Sequence, residues 1–369
     1  HMANFGLFAS PERRLVFDIN DFDETLPGPW EWDVKRLAAS LEIAGRDNGY
    51  SARQRQNIVV AAIAAYRQAM REFAELPTLQ VWYAMAEMEA LQARLAPQLD
   101  RSRRKNLART VSKARTKDHL GALDRFVGIR DGLPRIVADP PLITPIHDLV
   151  GEERSGAEVE QGLRDILSSY RASLEPDRRP LLDQYRLADM ARKVVGVGSV
   201  GTRAYMLLLH GDDLRDPLFL QAKEAGPSVL EEFVGPSAYA NSGQRVVVGQ
   251  RQMQTVSDIF LGWVRVQGLD GRSRDFYLRQ LRDWKGSAEI ETMRPKGMRM
   301  YGELCGWTLA RAHARSGDRV AIAAYLGSGP TFERALGTFA RAYADQNEDD
   351  HQKLTDAISA GRIVAEVGL

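Results

Sequence analysis

Gly196-Val-Gly198-Ser199-Val-Gly201-Thr-Arg-Ala-Tyr-Met-Leu-Leu-Leu-His-Gly211 is the stretch on which the fold turns. Its glycines fit G-x-G-x-x-G, a spacing that lets backbone amides come close to phosphate and that also arises by chance. A dinucleotide fold requires a helix directly after the glycines, with the pyrophosphate at its N-terminus. The continuation here is short and alternating, and it ends at the turn signal His210-Gly211-Asp212-Asp213. It predicts strand, glycine turn, strand. Such a turn lays backbone amides over a phosphate chain, and Ser199 adds a hydroxyl.

One strand further on, Leu218-Phe-Leu-Gln-Ala-Lys223 ends in a lysine. An ammonium at the end of an apolar strand is costly to bury without an anionic partner. In protein kinases a glycine loop covers the ATP phosphates, and a lysine on a later strand pairs with them. Lys223 stands in the comparable place, and Glu231 or Glu232 on the following helix is the expected carboxylate partner. A plain hairpin with a snorkelling lysine remains open.

The second chemical cluster lies near the start. Leu15-Val-Phe-Asp18-Ile-Asn-Asp21-Phe-Asp23 predicts a strand ending in an acidic turn, with Glu24 next. Carboxylates crowded together repel one another unless a cation binds, and Mg²⁺ takes one or two carboxylates plus phosphate oxygens. Asp21-Phe22-Asp23 reads like the Asp-Phe-Gly metal motif of kinases, and Asn4 lies upstream on a turn where a second-metal ligand would sit. Asn4, Asp21 and Asp23 are therefore the candidate metal ligands. An acidic, solvated hairpin end is the alternative.

Around these motifs the pattern is mostly helical. Val34, Leu37, Ala38, Leu41, Ile43 and Ala44 follow helical spacing from Trp30 to about Arg46. Ser51 and Gln54 match a capping box, and the chain to about Arg130 is expected to be almost wholly helical, with a second helix from about Leu79 to Leu95. Arg101 to Lys117 is basic without an acid, read either as a solvated face or as an anion surface. Pro134 to Pro145 predicts a proline-rich crossing loop. Lys193–Val197, Ala204–Leu209, Leu218–Lys223, Arg245–Gln252 and Phe276–Leu281 predict a small antiparallel sheet, with one helix near Ser228 to Phe233. Helices return at Tyr301–Ser316, near Val320, at Thr331–Asn347 and at Lys353–Ala360. His313 is expected to be a hydrogen-bonded helix-end histidine, and Cys305 a core residue.

The chain has 369 residues, with 50 Lys and Arg against 49 Asp and Glu, and a single Cys. That balance gives no global reason to expect nucleic acid or an anionic membrane as partner. One cysteine excludes an internal disulfide framework and suits a reducing compartment. No apolar run approaches the ~20 residues needed to span a bilayer, and no signal peptide is visible, so a cytoplasmic protein is expected.

His1-Met-Ala-Asn4-Phe-Gly6, Phe17-Asp-Ile-Asn-Asp-Phe-Asp-Glu24 and Pro27-Gly-Pro-Trp-Glu-Trp-Asp33-Val-Lys-Arg-Leu37 resemble the bacterial family called domain of unknown function 2252. So do the stretches around Val194–Arg203, Phe219–Glu224, Gly249-Gln-Arg251 and Ala312-His313–Asp318, and the resemblance spans essentially the whole chain. More distantly, the first block is similar to the catalytic segment of aminoglycoside and choline phosphotransferases. There a His-Gly-Asp-x-x-x-x-Asn loop precedes an Ile-Asp-Phe metal motif and a bracing Asp. The resemblance implies Asn4 and Asp21 as metal ligands and Asp33 as the brace.

Two departures accompany it. The loop's catalytic Asp would fall upstream of His1, so the chain is expected to be truncated within its own motif, with His1-Met2 either native or a tag remnant. The glycine turn also follows the metal motif instead of preceding it, an order that a circular permutation would reconcile.

These readings converge on an α+β, protein-kinase-like two-lobe fold, with a small antiparallel sheet lobe and a large helical lobe. A helical lobe with the metal hairpin is expected at 1–176, the sheet lobe with the glycine loop at 177–290, and a helical segment packing back on the first lobe at 291–369. The expected function is ATP- and Mg²⁺-dependent phosphotransfer to a small-molecule or protein acceptor. Its catalytic residues are Lys223, Asp21 and Asn4, and Gly196, Gly198, Ser199, Gly201, Lys223 and Glu231 hold the nucleotide. A nucleotide-binding pseudokinase or interaction module is the alternative.

Overall fold

The computed structural model describes residues 1–365 except 96–100, 117–118, 131, 151–155, 195–200, 214, 269–270 and 282–283. The chain is α+β and divides into two units, each assembled from separate stretches of sequence. The first comprises His1–Phe5, Pro29–Ala84 and Ser287–Leu369; the second comprises Gly6–Gly28 and Met85–Gly286. The anticipated boundaries, after 176 and after 290, do not coincide with this division. Residues 85–176 include Ile143–Pro145, a strand of the sheet, and isolated bridges join Leu7 to Gly286 and Val16 to Glu87. Among the described residues, no helix is long and apolar enough to cross a membrane.

The first unit is helical. The helix Ala52–Glu75 opens with the anticipated box: Gln54 N donates to Ser51 Oγ at 3.4 Å and Ser51 N to Gln54 Oε1 at 2.9 Å. Ile58, Val59, Ala62, Ile63, Tyr66, Ala69, Met70 and Phe73 form its buried stripe, at the spacing that places side chains on one helical face. Helix Pro295–Ser316 lies along it, and the two backbones approach closely at Gly306, where a Cβ would sit 2.2 Å from the Ala62 carbonyl oxygen. Gly306→Ala is therefore expected to destabilise by about 2 kcal/mol, although alanine is ordinarily the better helix former. Gly297→Ala, in the same helix but with open space around its Cβ, should be neutral or stabilising. Urea midpoints of the two variants check this, and equal shifts would show that the close contact is unimportant.

Thr331–Ser359 is one continuous helix where two were anticipated. The Gln346–Asp350 and Gln352–Asp356 side-chain bonds, each spanning four residues, support the polar stretch that looked like a break.

The strands are β1 (Phe5–Ala9), β2 (Leu15–Ile19), β3 (Val127–Arg130), β4 (Leu133–Ile136), β5 (Ile143–Pro145), β6 (Arg186–Lys193), β7 (Ala204–His210), β8 (Pro217–Ala225), β9 (Gly262–Gln267) and β10 (Ser273–Gln280). In the second unit a six-stranded sheet runs in the order β5-β6-β7-β8-β10-β9, antiparallel throughout. The stretch Pro134–Pro145, anticipated as a loop, contains most of β4 and all of β5. Proline is tolerated there because β4 belongs to a two-stranded ribbon with β3 and β5 is an edge strand. Arg245–Gln252, anticipated as a strand, lies in the helix Ser242–Met253. Asn241 caps that helix through Gln244 N at 3.0 Å, so the cap outweighs the β-branched run Val246–Val248. β9 was not anticipated.

Alternation gives the sheet two faces. On one, Leu218, Leu220, Ala222, Phe276 and Leu278 join Tyr170 and Leu174 in a core. On the other, Phe219 packs with Ala122 and Phe126 of the helix His119–Phe126. Gln221 and Lys223 of β8 continue that second face, opposite Arg279 and Tyr277 of β10 in register.

Candidate active site

β2 is buried along its whole length, and its end delivers the acidic segment to the second face of the sheet. Asp18 is buried and accepts from Ile19 N at 2.9 Å and Thr255 N at 2.8 Å, so it anchors backbone. Beyond Ile19 the chain crosses β10 and β8. Arg279 donates to the Asn20 carbonyl at 3.0 Å. Lys223 Nζ donates to Asp23 Oδ2 at 2.8 Å, and the Tyr277 hydroxyl donates to Asp23 Oδ1 at 2.5 Å. Arg245, 3% exposed, donates to the carbonyls of Thr25 at 2.7 Å, Asp23 at 2.9 Å and Gly226 at 2.9 Å. Ser228 Oγ donates to the Glu24 carbonyl at 2.9 Å, and Val229 N donates to Glu24 Oε2 at 2.9 Å. Gly249 leaves room for this crossing, because a Cβ there would lie 2.5 Å from the Thr25 side chain.

These bonds set the charge state of the centre. Burial on its own would raise the Asp23 carboxyl, but the charge and hydrogen bond of Lys223, the Tyr277 hydroxyl and the charge of Arg279 together hold it below its ordinary value. Burial pushes the Tyr277 phenol well up, keeping it a donor. Burial also draws Arg245 down, against the pull of Glu24, Glu231 and Asp23. Because the folded value of Asp23 is lowered, its contribution to stability is complete above the unfolded carboxylate value of about 4 and is lost as pH falls through the folded value. Asp23→Asn should therefore flatten the loss of urea midpoint between about pH 5 and about pH 3. Wild type and variant losing stability in parallel would contradict this.

A protein-family model, described as "Uncharacterized protein conserved in bacteria (DUF2252)", matches residues 1–357. That span takes in both the acidic strand end and Lys223. The chain belongs to the DUF2252 family. No curated protein and no solved structure matches it.

In this DUF2252 chain the two separated chemical clusters meet: Asp23 and Lys223 are 200 positions apart in sequence and joined at 2.8 Å. The partner of Lys223 differs from expectation. Glu231 accepts from Ser228 N at 3.2 Å and Glu232 is exposed, while Asp23 takes the lysine. The crossing segment brings Asp23 over β8, whereas Glu231 turns back onto its own loop. Asp21 is exposed and makes no hydrogen bond or ion pair among the described residues. Gly196, Gly198 and Ser199 lie outside the described residues. Gly201 has φ +87° and precedes β7, which pairs antiparallel with β6, so a strand follows the glycines. Asn4 belongs to the first unit, in a short turn where its backbone N donates to His1 O at 2.9 Å. Among the described residues, no group of three or more His, Cys, Asp or Glu is arranged to hold a metal.

Other residues singled out by sequence have structural partners. In the first unit, His313 takes the Tyr66 hydroxyl on Nδ1 at 2.8 Å and Asp33 on Nε2 at 3.2 Å. In the second, Arg251 pairs with Glu175 at 2.6 Å. Cys305 is buried.

The sequence reading missed Tyr277, Arg279 and Arg245. The first two sit opposite Lys223 and Gln221 only because β10 pairs with β8 across the intervening helix and β9. A fourth missed residue is Glu224. It receives Arg203 N at 3.0 Å and ion-pairs with Arg203 at 3.3 Å and Arg274 at 3.4 Å, fastening the end of the glycine turn to the residue beside Lys223.

Proposed function

We propose that the second unit carries the nucleotide centre of a kinase-like phosphotransferase that uses ATP and Mg²⁺, with an acceptor of undefined class. The observation that supports this most strongly is the 2.8 Å pairing of Lys223 with Asp23, which unites a lysine of β8 with an acidic turn 200 positions earlier in sequence. Lys223 is the phosphate ligand, drawn off Asp23 when the more highly charged polyphosphate arrives. Tyr277 and Arg245 keep the acidic segment in place meanwhile. The donor set fits a hard divalent cation: Asp23 is held ionised and Asp21 offers an exposed carboxylate two positions away. Bound Mg²⁺ supplies neutralisation of charge on the transferring phosphoryl group. The protein's part is positioning, which accounts for a large share of the rate enhancement in phosphoryl transfer.

Calorimetric titration with ATP, with and without Mg²⁺, is the direct test. Binding that strengthens with Mg²⁺ is expected; absence of heat and of any thermal shift in folded protein would refute the proposal. A second reading, nucleotide binding without turnover, draws on one observation: both oxygens of Asp23 are already engaged, by Lys223 and Tyr277. Release of labelled γ-phosphate separates the two.

A further inference from the structure

A cleft in the second unit lies beside the Asp23–Lys223 pair and shares a wall with it. Leu7 and Leu281 provide apolar surface, and Asn20, Gln250, Asp258 and Arg279 bring polar groups to it. Arg279 is the shared residue, since it donates to the Asn20 carbonyl and its charge acts on Asp23. It stands two positions from Tyr277 on the same face of β10, about 7 Å away along the strand.

Gln250 decides what the cleft can accept. The residue is 4% exposed, and its Nε2 donates to Gln254 Oε1 at 2.9 Å, while Gln254 Nε2 donates to the Ile19 carbonyl at 2.6 Å. This chain of amides fixes the orientation of Gln250. Its Oε1 accepts no hydrogen bond among the described residues, so an acceptor on the cleft wall is left for a ligand N–H. Asp258 adds negative charge: its carboxylate accepts from Phe260 N at 2.8 Å and from Gln280 N. Arg279 and Lys285 line the same cleft, so its walls carry both signs of charge, and a purely aliphatic ligand would leave the Gln250 acceptor without a donor.

We infer that the cleft is the subsite for a purine base, belonging to a nucleotide whose phosphates bind at Lys223. The inference rests on the reading under Proposed function for the phosphate end only. A carboxamide matches the donor and acceptor edge of a purine, and apolar side chains suit the ring faces. The base end and the phosphate end then lie along β10, with Arg279 between them.

Phosphate-free and base-free probes separate the two ends. Adenosine, guanosine and tripolyphosphate are titrated calorimetrically into the full chain, into Gln250→Met, into Ala9→Leu, which narrows the cleft from β1, and into Lys223→Met. At least one purine nucleoside should bind with a Kd near or below about 1 mM. Both cleft variants should weaken it at least tenfold while tripolyphosphate binding stays unchanged, which also shows that they fold. The inference is overturned if neither nucleoside binds, if both cleft variants leave nucleoside binding intact, or if nucleoside and tripolyphosphate weaken by the same factor. Tripolyphosphate that fails to bind, or that binds Lys223→Met as well as wild type, overturns the phosphate reading alone.

Discussion

Replacing Lys223 with methionine is expected to weaken ATP binding about 100-fold and to remove any phosphoryl transfer, because one charge-assisted hydrogen bond contributes about 1.5–3 kcal/mol. Methionine keeps an unbranched stem of similar length, so packing against Tyr277, whose ring lies 5.7 Å from the ammonium, changes little. What changes is the charge. Asp23 loses its largest source of stabilisation as an anion, and its carboxyl rises toward the ordinary value while Tyr277 still donates to it. Lys223→Arg should retain part of the binding, since a guanidinium preserves the positive charge but presents a planar fork. Isothermal titration with ATP and Mg²⁺ reads both variants. A methionine variant that binds as tightly as wild type would remove Lys223 from the site, leaving its pairing with Asp23 as a structural ion pair.

The elements legible in the sequence were those whose local signals agree with their tertiary surroundings. Helix Trp30–Asp47 and the capping box at Ser51 combine helical periodicity with good end chemistry, and the folded chain keeps both. The acidic strand end and Lys223 were each legible because charge at the end of an apolar strand is conspicuous.

Their mutual contact was legible only as a chemical need for a counter-charge. The choice of counter-charge was not. The kinase-like arrangement, in which a glutamate on the following helix holds the lysine, favoured Glu231 or Glu232 over Asp23, which is 200 positions away. The helix Ser242–Met253 was obscured in a similar way. Its buried Val246 and Val247 have β propensity, while the cap at Asn241 and the buried Arg245 guanidinium between three carbonyls take their value from tertiary structure. The pairing of β8 with β10 decides which side chains face Asp23, and nothing in the composition of either strand specifies it.

Arg245→Met should destabilise the protein by about 3–5 kcal/mol, because it removes the charged donor from three backbone carbonyls at once. Among the described residues, the guanidinium is the one side chain that serves the carbonyls of Asp23, Thr25 and Gly226 together, and it is buried where water does not readily replace it. Methionine fills much of the volume but leaves these carbonyls without their donor, and an unsatisfied buried acceptor costs about 1–3 kcal/mol. Arg245→Lys should be intermediate, since one ammonium on a flexible stem has no planar fork to span acceptors on two segments. The effect should reach the site as well. The bonds of Arg245 to residues 23 and 25 bracket the carboxylate that meets Lys223, so loosening them lets Asp23 drift from the lysine and from Tyr277. Urea midpoints and ATP affinity should therefore fall together in Arg245→Met, whereas Lys223→Met should lose affinity with a smaller change in midpoint. An Arg245→Met protein with the wild-type midpoint would mean that water satisfies those carbonyls, and the crossing segment would then owe its position to Asp23, Glu24 and Asn20 alone.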